Sequence, residues 1–568
     1  ELEDISLYSN FFNTGRANSY NQNLTASYKI PINKLPYLDF INSNYSYSGN
    51  FSWQAASPSF VNEIGNTIQN GNSHNVTANL NFSKFYNKIG LKKLFNPKKK
   101  KKTASLPSVG KSKKKKGNTV GDFAYNLLSS LKSAKFSYNK KRGTSLNGYV
   151  PEIGFLGRDK YNGGHAPTLG FVFGDQSNIL NKAIENEWLV SRSATDVAYS
   201  KNYSQNEFTN MDYNITVKPI RDLNIQFTGN RSYSENTISQ IDVVDNVLQN
   251  NSVNQSGNFN ISYSLIKTAY SSNPDELFNT FVDNRAIVLN ELHPDNQTTI
   301  ANAVAGGANE SQVTSQGLNS QEVLIHSFLA AYSGNDAKGG DKKIFKSIPI
   351  PNWQLTYRGL MKLDYFKKRF SNFTLTHGYN SSYTINNFSN NLNSDTSNPF
   401  QSNLIYSGIT LVDNFSPLIK LDMKFKSSFS IRGTVNRNRA LSLNLNNTTL
   451  SEVSGNEYVF GIGYRFRDIK IKTKFLGKRK TLTGDINVKA DVSYRTDETN
   501  IRSVDTNSSQ VTGGQNLLGI KLAADYNLSR SFTATLYYDQ NVASYAISTL
   551  YPRQSINAGL SIVYNLGN

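Results

Sequence analysis

Apolar and polar residues alternate one by one along many stretches of this chain, the period-two pattern of strands with one greasy and one wet face. From Asn44 to Gln54, Tyr45, Tyr47, Phe51 and Trp53 share one face, and Ser46, Ser48, Asn50 and Ser52 the other. Val76, Ala78, Leu80 and Phe82 alternate with Thr77, Asn79 and Asn81. Met211, Tyr213, Ile215 and Val217 run into Pro219-Ile220-Arg221-Asp222, and Leu223, Ile225 and Phe227 come straight back, which predicts a hairpin. Phe259, Ile261, Tyr263 and Leu265 repeat the pattern. The C-terminal third is the most regular: Tyr458 to Phe466, Ile486 to Tyr494, Leu518 to Leu528, Phe532 to Tyr538 and Ile556 to Leu566 all alternate.

Many of these runs span about nine to thirteen residues, the length a tilted strand needs to cross a bilayer, whereas strands of a soluble sandwich average about five to six. The fold class expected is therefore all-β: an antiparallel transmembrane β-barrel occupying residues 1–568. Charges on the wet faces, such as Arg465, Lys489 and Asp491, suit a water-filled lumen better than the dry core of a sandwich. Trp53, Trp353, Tyr458, Phe466 and Tyr564 stand near strand ends, as interfacial girdle residues would.

With the last strand descending to the periplasm, segments 218–222, 424–428, 467–480 and 529–531 become periplasmic turns. Segments 55–73, 143–210, 234–254, 386–404 and 495–515 become extracellular loops. Arg467, Lys470, Lys472, Lys474, Lys478, Arg479 and Lys480 concentrate positive charge in one turn. About fifteen strands result, the first and last both descending. Since an antiparallel barrel cannot close that way, either the count is off by one or strands precede Glu1, and the second, within a larger barrel, is the expectation.

Composition changes the picture in three places. Hydrophobic residues make up only 38% of the 568, yet aromatics reach 12% with 32 Tyr and 32 Phe, and charged residues 18%. Low charge with many aromatics excludes a disordered chain and suits half-buried pleated surfaces. Mean hydropathy is −0.49, which is no obstacle, because a barrel strand offers lipid only alternate residues. The absence of cysteine removes disulfides, thiolate metal sites and cysteine nucleophiles.

Two segments break the strand rhythm. Residues 87–133 form a basic, periplasmic insertion holding Lys98, Lys99, Lys100, Lys101 and Lys102, then Lys113, Lys114, Lys115 and Lys116. These lysines are candidate contacts for a periplasmic partner or for phospholipid headgroups. A short helix is expected at Asp122–Leu131. Residues 268–350 form a partly helical insertion, with Glu276–Leu289 and Ser320–Tyr332 as its helices. The net charge of +20 invites a nucleic-acid reading, but no recognition module accompanies it, and none is assigned. The five histidines (His74, His165, His293, His326, His377) lack metal-ligand spacing. No catalytic residue, metal or cofactor is assigned. His377 is the one in-strand candidate for a barrel hydrolase, and an ordinary girdle or lumen histidine is the stronger reading.

Several blocks resemble the SprA/Sov family, the outer-membrane translocon of the type IX secretion system. They are Gly15-Arg16-Ala17, Tyr28-Lys29-Ile30-Pro31, Leu35-Pro36 and Phe328-Leu329-Ala330-Ala331-Tyr332. Ile348-Pro349-Ile350-Pro351-Asn352-Trp353 with Tyr357 and Gly359-Leu360 follows, then Phe415-Ser416-Pro417-Leu418 and Gly463-Tyr464-Arg465-Phe466. The resemblance implies the C-terminal portion of a very large pore in the outer membrane of a Gram-negative bacterium. That pore exports folded cargo, gliding adhesins included. Its implied partners are outer-membrane lipid, a PorV-type barrel, a periplasmic plug protein and cargo bearing a C-terminal signal domain. No gating residue is carried over. A self-contained porin or nutrient transporter is the alternative, and neither reading makes the chain an enzyme.

Overall fold

A computed structural model describes residues 17–91, 119–271, 273–392, 398–475, 478–527, 532–547 and 550–564. Sixteen strands join in one antiparallel sheet. They are β1 (Ser19–Ile30), β2 (Ile41–Gln54), β3 (Asn66–Asn81), β4 (Leu131–Tyr149), β5 (Lys201–Val217), β6 (Leu223–Val244), β7 (Val247–Ser262) and β8 (Asn352–Tyr357). The rest are β9 (Phe370–Asn390), β10 (Leu404–Phe425), β11 (Phe429–Asn444), β12 (Thr449–Phe475), β13 (Lys478–Ser503), β14 (Ser508–Asn527), β15 (Phe532–Tyr545) and β16 (Arg553–Tyr564). Each pairs with its neighbours in sequence, except that β7 and β8 occupy one position between β6 and β9. Fifteen positions result, and the outer edges of β1 and β16 are not joined to each other among the described residues.

The strands are longer than the alternation suggested. β6 runs 22 residues and meets β7 through Asp245 and Asn246, both at positive φ, so most of the loop expected at 234–254 is ladder. β4 likewise continues to Tyr149, and β12 and β13 pair on to Phe475 and Lys478 where a longer turn was expected. Toward both ends of the sheet the two sides of a strand alike meet water or protein, so the ladder continues after the greasy-wet contrast has ended. At the other extreme, Phe82 starts α1 (Phe82–Lys88), and Tyr263 and Leu265 lie past the end of β7.

The helices lie in the connections. α2 (Thr119–Leu128) overlaps the helix expected at 122–131, whereas Lys98–Lys102 and Lys113–Lys116 lie outside the described residues. α3 (Leu169–Val172) and α4 (Ile179–Glu185) belong to the connection 150–200 and were not foreseen. α5 (Pro274–Leu292), α6 (Asn296–Ala305), α7 (Glu310–Leu318) and α8 (Gln321–Ser333) build the insertion between β7 and β8, and α9 (Asp364–Arg369) follows β8. α5 and α8 cover the two helices expected there. Asn273 caps α5 by accepting from the Glu276 N–H, with Pro274 in the first turn. Gly334, left-handed at φ 67°, ends α8.

Candidate functional site

Register decides which residues share a face. Across β12 to β16, Tyr458, Phe460, Ile462 and Tyr464 lie beside Tyr494, Val492, Ala490 and Val488. Those in turn lie beside Leu518, Ile520, Leu522 and Ala524, and the row goes on through Leu536 to Leu560. The result is an unbroken apolar belt, and it is bare: Phe460 is 54% and Leu560 64% exposed. Water would penalise such a surface at roughly 25 cal/mol per Å², whereas lipid would not. The alternate residues form the wet face. Lys489–Asp525 (3.3 Å), Lys521–Asp539 (3.7 Å) and Arg465–Asp485 pair there, with neutral Asn, Ser, Thr and Gly between them.

Both large connections fold onto the apolar face, beyond the belt on the loop side. The 150–200 segment covers Phe51, Trp53, Ile68, Leu146 and Tyr203 with Phe171, Val172, Ile179 and Leu180. Trp53 is fully buried and donates to the Pro151 carbonyl (3.2 Å), so it is no girdle residue. Asn70 donates to the carbonyls of Phe171 (2.9 Å) and Asp175 (2.7 Å). The Phe173 carbonyl approaches so closely that a Cβ at Gly49 would lie 2.4 Å from its oxygen, which requires glycine there.

The helical insertion covers the other half. Phe278 and Phe281 of α5 and Leu324, Ile325, Phe328, Leu329 and Tyr332 of α8 pack on Phe259, Ile261, Tyr383, Ile385, Ile409, Leu411, Leu441 and Leu443. Beneath them lie charges that share the apolar phase of their strands. Arg439 donates to Asp413 (3.1 Å) and to the carbonyl of Thr268 (3.2 Å). Arg502 pairs with Asp275 of α5, lies 3.6 Å from Glu452, and stacks over Phe278 at 5.4 Å. Arg439, Asp413, Arg502 and Glu452 are all buried. No alternation argument finds this cluster; its one sequence signal is charge where the phase calls for an apolar residue.

The insertion leaves and rejoins the sheet at one point. β7 ends at Ser262 beside Ser382, and β8 begins at Asn352 beside Thr228, which leaves a break in the ladder. Side chains fill it. Ser262 Oγ accepts from the Asn230 N–H (3.0 Å), and Asn352 Oδ1 from the Ser381 N–H (2.8 Å). Asn352 Nδ2 donates to Asn380 (2.7 Å). On the wet face, Asn230 donates to Asn210 (3.1 Å) and Asp212 (2.8 Å), and Asn260 to Thr384 (2.6 Å). Asp212, Asn230, Asn260, Ser262, Asn352 and Asn380 line an open groove of about 660 Å³. The sequence reading missed it, since Asn and Ser are everywhere and only the register gathers these.

Among the histidines, His377 Nδ1 donates to the Leu418 carbonyl (2.6 Å), and its ring lies against those of Trp353 and Phe415. His326 is buried in α8, and burial, then Lys346 and Lys342, push it down to about 4. Among the described residues no helix is long and apolar enough to cross a membrane, which says nothing of strands.

No family model and no curated protein matches the chain. Solved structures do, an import receptor and a siderophore receptor among them. The ferric-catecholate import receptor Fiu of E. coli K12, closed form, is 8% identical over 93% of this chain, with a TM-score of 0.25, and the chain spans 64% of its length. The siderophore receptor PirA of Acinetobacter baumannii is 7% identical over 97% of this chain and 72% of its own, with a TM-score of 0.14. The type IX secretion function expected from the resemblance is not supported: the matched chains are described as an import receptor and a siderophore receptor. Two of the blocks that carried the resemblance have structural roles in the insertion. Phe328–Tyr332 is the buried face of α8, and Ile348–Trp353 is the strut that returns the chain to the sheet, held by Tyr213 on the Pro349 carbonyl (3.0 Å).

Proposed function

We propose that this chain walls a transport barrel in the outer membrane of a Gram-negative bacterium and gives polar solutes a path along its wet face, as a nutrient transporter or porin does. The observation that carries the reading is the register-locked pair of faces, an exposed apolar belt opposite a ladder of Asn, Ser and Thr crossed by ion pairs. Such a wall suits lipid on one side and water on the other. Transport of this kind needs no catalytic group. The sheet's register supplies what passage requires, a hydrated surface with charges fixed in place.

The test is reconstitution of the full-length protein into liposomes, followed by swelling in a neutral sugar and by conductance in planar bilayers. Solute flux and an open-state current are expected. Lys489→Glu with Lys521→Glu should shift the reversal potential toward cation selectivity, because both lysines lie on the wet face. Inserted protein that leaves the bilayer sealed, or a current indifferent to both charge reversals, refutes the reading.

A further inference from the structure

The turn-side rim of the apolar belt carries the same device at two distant points. At the end of β3, α1 sets Phe82 and Phe85 around Phe40, with ring centroids 5.0 Å (Phe85) and 5.3 Å (Phe82) from it, and Tyr86 against both. Lys88 lies 5.7 Å from the Tyr37 ring. Before β9, α9 sets Phe366 against Phe370 (5.7 Å) and Phe373 (4.9 Å), and Phe370 stacks on Phe425 (4.4 Å), itself 5.6 Å from Phe429. The Arg369 guanidinium covers Tyr365 at 4.1 Å. Aromatic rings at such a rim occupy the boundary between hydrocarbon and headgroups.

The second cluster is strongly cationic. Lys367, Lys368 and Arg369 are consecutive and exposed. Lys426 joins them, since its N–H donates to the Arg369 carbonyl (3.1 Å). Among the described residues none of Lys367, Lys368 and Lys426 is in an ion pair, and Asp364 is the one carboxylate of α9. The aromatic cluster beside them is continuous with the belt through Leu421 and Met423, so lysines at this rim can keep their stems on apolar surface and their ammonium groups at headgroup height.

We infer that α9 and the β10–β11 turn form a site for an anionic glycerophospholipid of the periplasmic leaflet, with Lys367, Lys368 and Lys426 on its phosphate and the half-buried rings of Phe366 and Phe425, backed by the buried Phe370, as the shelf against its glycerol and upper acyl chain. The continuity of shelf and belt favours lipid over an acidic protein, which would need no aromatic floor at that height. The inference rests on the membrane reading above. Its test is separate, because a chain that does not belong in a bilayer fails to reconstitute in any lipid.

The full-length protein is reconstituted in equimolar phosphatidylglycerol and phosphatidylcholine, re-extracted, and its retained lipid quantified by mass spectrometry. Phosphatidylglycerol should be enriched, and Lys367→Ser with Lys368→Ser and Lys426→Ser should cut that enrichment on the order of tenfold. Excess inorganic phosphate should leave retention unchanged, since it lacks the acyl chain the shelf holds. Equal retention of the two lipids by the wild type overturns the inference and leaves the lysines to an acidic protein or to water. Displacement by inorganic phosphate overturns the lipid assignment as well. Should the triple variant fail to assemble, the wild-type ratio and its loss in Lys367→Ser with Lys368→Ser decide.

Discussion

Arg502 offers the sharpest test of how the helical insertion is held. Its guanidinium is buried between sheet and α5, beside Glu452, against Asp275 and over Phe278. Arg502→Leu would keep the apolar contact with Phe278 but leave the buried Glu452 carboxylate without its nearest cation. Breaking a buried pair from one side costs about 3–5 kcal/mol, because the remaining charge stays desolvated. The seven apolar side chains that α5 and α8 bury on the sheet would still hold the insertion down. The loss should therefore appear as local opening, raised roughly a hundredfold or more at 1.4 kcal/mol per factor of ten. Hydrogen exchange in detergent reads it directly: amides of α5 and α8 should lose protection while those of the β12–β13 ladder keep theirs. Arg502→Leu with Glu452→Leu should recover most of the protection, since a buried pair replaced by apolar residues is often neutral or better. A single variant that changes protection by less than about 1 kcal/mol, the scale of an exposed pair, would refute the reasoning. So would a double variant no better than the single.

Two further outcomes follow from the faces and from α8. Ile462→Arg places a cation in the belt between Ile431 and Ala490 and should cost about 2–4 kcal/mol in denaturant unfolding from lipid, whereas Ser493→Arg on the wet face should cost far less. Equal costs would mean that the faces are assigned wrongly. His326 is depressed from 6.5 to about 4 by burial and by Lys346 and Lys342, with Asp341 opposing. Its neutral form is held in the folded insertion, so stability is intact above pH 6.5 and falls as pH drops toward 4, by about 3 kcal/mol in all. Exchange protection of α8 measured from pH 7 to pH 4 should show this decline, and His326→Leu should flatten it. A decline unchanged in His326→Leu would assign the acid sensitivity to another group.

The alternation of side chains by itself determined the fold class, the two faces and the belt, because a period of two admits one arrangement on a pleated sheet: Phe460 and Ile462 cannot share a side with Gly461 and Gly463. It also located the helices at α5 and α8, where runs such as Glu276–Leu289 are periodic enough to stand out. Strand ends escaped it, since past the bilayer edge both faces of β6 or β13 are polar or covered and the contrast that marks a strand is gone. Only tertiary structure decided that β7 and β8 share one position, a join made by Ser262 and Asn352, 90 residues apart. Tertiary structure likewise decided that Trp53 lies beneath a folded loop and that Arg439, Asp413, Arg502 and Glu452 meet under α5 and α8. Those contacts join residues far apart in the chain, and burial of a charge depends on what folds over it, which no local pattern records.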